Sequence, residues 1–395
     1  MISALIRVAA LVLIALSAYG QMKLPPYSVQ TLSNGVTIYV MQRKGVPLVE
    51  IDFALRGGKE SEPAKEPGIA GITADLLRKG STSYTSNQFS LALDALGGSY
   101  RVRTDEQTTM VETEFLSKDL DQGLSLVSEA VLHPVFPDAE VVKILGQRRD
   151  DIKSLKDHPA QAISPYAHAF FFGAGHPYGR IIDEESVSRI TRSAVADYYK
   201  RIYVGANLMV AIVGDIDPEA AMKIARQKLS AAPAGDRFAW RRDVTLHHAS
   251  TDRFLLIDKP GATQSYFYIV QPGISAGNPD RVAIRLVNTL FGARFTSMLN
   301  EELRVKTGLT YGARNVIDTN RLEGMNAIAT FTKTESTVRA LDLSVATLNE
   351  LRTGTITAAQ LASAKAYLKG TLPRQLIETG DQLARQLIRL DALGL

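Results

Sequence analysis

An order of strand pair, helix, strand pair and two long helices is written twice in this chain, on either side of the Ala/Pro/Gly-rich run at 231–236. A repeat of that length, carrying its own strands and helices, calls for two α+β units built alike and not for a short-period solenoid. In the first copy, residues 28–40 read as two β-rich runs around Asn34-Gly35, a strong hairpin signal. A strand at 48–55 follows, ended by Arg56-Gly57-Gly58, then a helix at 87–96 and alternating strands at 99–103 and 108–115. Helices are expected at 119–132, 138–156, 160–172 and 191–202, and a buried strand at 207–213. The second copy offers strands at 254–258 and 264–270, a helix at 281–291, strands at 312–318 and 324–332, and helices at 337–352 and 358–370. No counterpart of the 207–213 strand or its closing helix comes before Leu395, so the second copy is expected to be truncated.

Between the first strands and the 87–96 helix lies the stretch 68–81, where Ile69, Ile72 and Leu76 recur at helical spacing. That spacing puts Gly71, Ala74 and Asp75 together on another face of the helix. An inverted zinc motif, His-x-x-Glu-His, uses this geometry: two imidazoles one turn apart hold the metal, and a carboxylate takes a proton from the metal-bound water. Here the three places hold glycine, alanine and aspartate. Zinc prefers nitrogen or sulfur ligands, and this face reads as an acidic, solvated one.

The frame around those losses resembles the pitrilysin/insulinase family of zinc metallopeptidases, whose motif helix commonly reads Gly-Leu-Ala-His-x-x-Glu-His-x-Leu-x-Lys-Gly-Thr. Gly68, Ala70, Leu77, Lys79 and Gly80 stand in register, with Ser81 for the threonine. Leu96-Gly97-Gly98, His133-Pro134-Val135-Phe136, His176-Pro177-Tyr178-Gly179-Arg180 and the strand ending in Gly214-Asp215 are further landmarks. The resemblance implies two duplicated domains, each a mixed, mostly antiparallel sheet with helices packed on one face. It divides the chain into 1–20, 21–230, a linker at 231–246, and 247–395. The family's third metal ligand, a distant glutamate, falls at Asp151, so the ligand set becomes Gly71, Asp75 and Asp151, and the general base becomes Ala74.

In the second half, Leu303-Arg304-Val305-Lys306-Thr307-Gly308-Leu309-Thr310-Tyr311, preceded by Phe295-Thr296-Ser297-Met298-Leu299, resembles the family segment in which an arginine and a tyrosine seven positions apart face the zinc site. The resemblance implies that Arg304 and Tyr311 bind the substrate carbonyl and the oxyanion, a task that suits a forked guanidinium and a neutral phenol donor. In one subgroup two half-size chains pair: one carries the zinc motif, and the other carries the Arg/Tyr pair and a degenerate zinc helix. This sequence has the second profile. It implies a non-catalytic subunit of a heterodimeric metallopeptidase, with zinc in a homologous His-x-x-Glu-His partner and a peptide or unfolded polypeptide as substrate. The alternatives are an inert structural or binding protein of the same fold, and a lone active enzyme using Asp75 and Asp151.

Residues 1–20 carry Arg7, an apolar run at 8–18 and small residues at a cleavage position, which reads as a secretory signal; the run is too short to span a bilayer. The protein is therefore expected to be exported, periplasmic or extracellular, with no membrane insertion after cleavage. Absent cysteine leaves no disulfide, and a net charge of +4 without a basic block gives no nucleic-acid footprint. Weaker candidates are His247-His248 beside the linker, read as a solvated loop pair, and His168 and His176, read as packing or turn residues. Lys79-Gly80-Ser81 mimics the tail of a phosphate loop but follows a helix, the wrong order.

Overall fold

The computed structural model describes residues 24–241, 244 and 253–395. The expected leader and His247-His248 lie outside the described residues. Strands β1 (Tyr27–Thr31) and β2 (Thr37–Gln42) form the antiparallel hairpin that Asn34-Gly35 signals. Gly35 takes φ +93, and a Cβ there would meet the Ala206 backbone at 2.8 Å, so the turn needs glycine for conformation and for room. The Asn34 amide donates to the carbonyls of Leu229 and Ala232, tying the hairpin to the end of the first domain.

β3 (Leu48–Arg56) leads through a short loop to α1 (Ile69–Leu76), and α2 (Ser86–Ala95) leads to β4 (Ser99–Thr104) and β5 (Thr108–Leu116). Then come α3 (Leu120–Leu132), α4 (Asp138–Leu155), α5 (Pro159–Phe172), α6 (Glu184–Arg189), α7 (Arg192–Ile202), β6 (Leu208–Gly214) and α8 (Pro218–Leu229). The first sheet runs β1-β2-β6-β3-β5-β4, antiparallel throughout except for β2 beside β6. β6 is buried along its whole length, as its unbroken apolar run requires. One face of the sheet meets the helix layer, where Phe53, Ile69, Ile72, Leu76, Leu124 and Ile212 are almost wholly buried.

The second half contributes β7 (Gln264–Pro272), α9 (Arg281–Asn288), β8 (Ala313–Ile317), β9 (Met325–Lys333), α10 (Thr337–Thr353), α11 (Ala358–Leu376) and α12 (Gly380–Leu393). Its main sheet is antiparallel, ordered β7-β9-β8. The strand expected at 254–258 is not one: among the described residues this run has no ladder partner, and Phe254 and Leu256 are 78% and 77% exposed. The first sheet supplies the reason. There β2 reaches β3 only through β6, which pairs with both, and the described second half holds no counterpart of β6.

α12 falls beyond the last helix expected and covers the other face of the first sheet. Its Leu383, Leu387 and Ile388 bury against Tyr39, Met41, Ala54, Met209 and Val213. At its end Asp391 accepts from the buried Arg56 guanidinium at 2.5 Å. In return α5, from the first half, packs on β7 of the second. Residues 231–241 carry neither helix nor strand and lie against the first domain, with Gly205 N donating to Pro233 O at 2.7 Å.

Candidate functional site

The degenerate motif helix, α1, is held at its start by a carboxylate. Gly68, in the left-handed region at φ +95, and Ala70 donate their amides to Glu62 at 3.0 and 3.1 Å, filling the place of a helix cap. Burial pushes the Glu62 carboxyl up to about 7 against the pull of those two amides. The His176–Arg180 turn braces the same loop: Arg180 donates to the Glu62 carbonyl at 2.8 Å, and the Tyr178 hydroxyl donates to Glu60 at 2.9 Å. Arg321, from the second half, closes this network on Glu60 at 2.5 Å. His176 is buried, accepts from the Tyr178 amide and stacks on Phe172; burial and then Arg180 and Arg241 hold its pKa down at about 4. It is a turn residue.

Of the three positions expected on one face, Gly71 and Asp75 are half-buried, but Ala74 is fully buried in the core. What changes is the solvated reading of this face: Ala74, at the general-base position, is packed among apolar core residues. A Cβ at Gly71 would meet only Thr104 Oγ1, at an ordinary 3.7 Å, so no close contact demands glycine there. Asp75 accepts from Arg148 Nη2 at 2.9 Å, and Arg148 Nη1 lies 3.7 Å from Asp151 Oδ2. Burial raises the Asp75 pKa, opposed by the charges of Arg148, Arg78 and Lys79. The face is therefore not merely solvated acid; an arginine on α4 stands between its two carboxylates.

This donor set does not fit catalytic zinc. It offers no imidazole, its base position is an apolar methyl, and its two carboxylates already share a guanidinium. Among the described residues, no three His, Cys, Asp or Glu side chains are grouped to hold a metal ion.

Arg304 and Tyr311 are brought together in the second half. Ser297 caps a short helix that continues as a π-helical turn at Glu301–Lys306, and Gly308, at φ +62, ends it. Leu303 buries this segment in the second core, which leaves Arg304 facing outward. The Arg304 guanidinium lies 4.5 Å from the Phe295 ring centroid and 4.6 Å from that of Tyr311. Both rings are exposed, Tyr311 at 76%. Among the described residues the guanidinium makes no hydrogen bond or ion pair, so two aromatic faces orient it while its donors stay free. Sequence reasoning missed Phe295 as the second ring, and Arg148. The second was findable, since Arg148 stands one helical turn before Asp151.

The family model described as Insulinase (Peptidase family M16) matches residues 40–182, and that described as Peptidase M16 inactive domain matches 189–368. An uncharacterized zinc protease of Mycobacterium tuberculosis is 25% identical over 361 residues, covering 90% of this chain and 81% of the relative. One of Mycobacterium leprae is 26% identical over 297 residues, 73% of this chain, and the match spans only 65% of the relative's length. In fold, the chain is similar to a peptidase M16 inactive domain from Pseudomonas fluorescens, with TM-score 0.83 and 22% identity over 94% of this chain and 88% of that one. A protease from Helicobacter pylori gives TM-score 0.84 at 20% identity, covering 94% and 90%. The periplasmic protease PqqL from Escherichia coli gives 0.77 at 14%, covering 95% of this chain and 41% of that one. The motif frame on α1, the duplicated α+β plan and the two matched models agree: the chain belongs to the M16, or insulinase, family of peptidases.

Proposed function

We propose that this chain is the non-catalytic, substrate-binding subunit of an exported, heterodimeric M16 metallopeptidase. A homologous partner supplies the His-x-x-Glu-His helix and its zinc, and this chain supplies Arg304 and Tyr311 to a peptide or unfolded polypeptide in the partner's site. The observation that carries this reading is the asymmetry between the two motifs. At the metal positions the donors are lost or tied to Arg148, whereas Arg304 presents free donors on an exposed aromatic seat. A guanidinium and a phenol held this way aim at charge that develops on a carbonyl oxygen during acyl transfer. Among the described residues no helix is long and apolar enough to cross a membrane, and a periplasmic protease shares the fold.

The test is co-expression with a homologous chain that carries His-x-x-Glu-His, followed by hydrolysis of a quenched fluorescent peptide. The pair is expected to cleave and this chain alone is not. Arg304→Ala is expected to lower kcat by about 100-fold, the scale of losing one oxyanion donor, and Tyr311→Phe by less. Unchanged kcat in both variants would remove the assigned role, and no cleavage under any pairing would favour an inert binding protein.

A further inference from the structure

We propose that the Arg148 guanidinium is the resident cation of the vacated metal site, closing it to metal ions and stapling α1 to α4. Three observations meet here. Asp75 and Asp151 occupy two of the ligand positions, and Arg148 reaches both, through Nη2 at 2.9 Å and Nη1 at 3.7 Å. The triad bridges separate elements, because Asp75 rides on α1 and Arg148 and Asp151 on α4. At Gly71 an added Cβ would meet only Thr104 Oγ1, at an ordinary 3.7 Å, so no tight packing closes the third ligand position.

A guanidinium is permanently charged and forked, so one side chain can neutralise two carboxylates from different elements. A divalent ion brought to Asp75 would sit beside that fixed positive charge and lose the carboxylate to it. A fixed positive charge is thus supplied covalently where a metal would supply a larger one, and the two motif helices stay docked without a cofactor. This assignment stands apart from the paired-peptidase reading: it concerns metal response and helix docking, and neither depends on hydrolysis.

The experiment uses the full chain and Mn²⁺ as the probe. Arg148→Met is expected to lower Tm by about 2 °C, and 1 mM Mn²⁺ to raise the variant's Tm by more than about 1 °C while leaving the wild type unmoved. In Asp75→Asn/Arg148→Met the Mn²⁺ response should vanish and part of the lost Tm return, since no unpaired carboxylate remains on α1. A second arm installs ligands with Gly71→His, Asp75→His and Asp151→Glu, with Arg148 kept or changed to Met, and measures zinc affinity by competition with a chromophoric chelator. At least about tenfold tighter binding is expected without the arginine, the scale of a charge interaction of one pKa unit. The proposal is overturned if wild type and Arg148→Met respond alike to Mn²⁺, if neither responds, or if zinc affinity is equal in the two backgrounds. Should the ligand-installed chain fail to fold, the Mn²⁺ arm decides alone.

Discussion

His168 on α5 sets its Nε2 2.9 Å from Asp318 Oδ2 in the second half, while its Nδ1 lies 2.8 Å from the Ser164 carbonyl oxygen. Both ring nitrogens face acceptors, so the doubly protonated imidazolium satisfies them. Burial lowers the pKa, but Asp318 and the carbonyl outweigh it, and the net shift is upward from 6.5. With the folded value above the unfolded one, this contact stabilises fully below about pH 6.5 and fades as pH rises through the raised value. His168→Gln should cost about 1 kcal/mol at pH 6 and clearly less at pH 8.5, read by urea unfolding. Equal losses at both pH values would refute the charged contact.

Glu50 pairs across the ladder with Glu114 and is buried near Asp52. Burial, then Asp52 and Glu114, push its carboxyl up to about 9. An acid with a raised folded pKa contributes stability that is complete below its ordinary value of 4.5 and lost as pH climbs through about 9. Glu50→Gln is therefore expected to match the wild type near pH 4.5 and exceed it by about 2 kcal/mol at pH 9. A variant no more stable than wild type under alkaline conditions would show that the buried acids are solvated.

Phe295 is a second ring against Arg304, 4.5 Å from the guanidinium where Tyr311 lies at 4.6 Å. An exposed cation–π contact is worth about 0.5–1 kcal/mol, so Phe295→Ala should lower kcat/KM of the proposed pair by about two- to fivefold, with Phe295→Tyr close to wild type. A loss as deep as that of Arg304→Ala would mean that Phe295 itself touches substrate.

Leu387 on α12 is 2% exposed against the far face of the first sheet. Leu387→Ala should cost about 2–5 kcal/mol by chemical denaturation, the range for a large-to-small core change. A loss below about 0.5 kcal/mol, the level of a surface substitution, would place α12 off the sheet in solution.

Periodicity and turn chemistry made most elements of the first domain legible, because its strands and helices each carry a complete local pattern. The run at 254–258 shows where that reasoning stops. Its apolar, β-rich composition reads as a strand, yet pairing depends on a neighbour that local sequence does not announce. α12 has a legible apolar stripe of Leu383, Ala384, Leu387 and Ile388, but nothing local says that it faces the sheet of the other half. At the candidate site, the motif frame located α1 and the Arg304/Tyr311 pair. The burial of Ala74 was not legible, because spacing alone does not reveal how closely α1 is packed, and Phe295 needed the fold of the π-helical turn.

The exchange of α12 and α5 between the halves changes what the 231–246 connection can be. Each sheet takes one wall from the other half, so severing the chain there would yield two fragments with an apolar face uncovered, each waiting for its complement. The halves are interlocked and should melt together in one cooperative step. They cannot swing apart as independent lobes without first peeling a helix from its sheet. The chain should therefore move as a single piece.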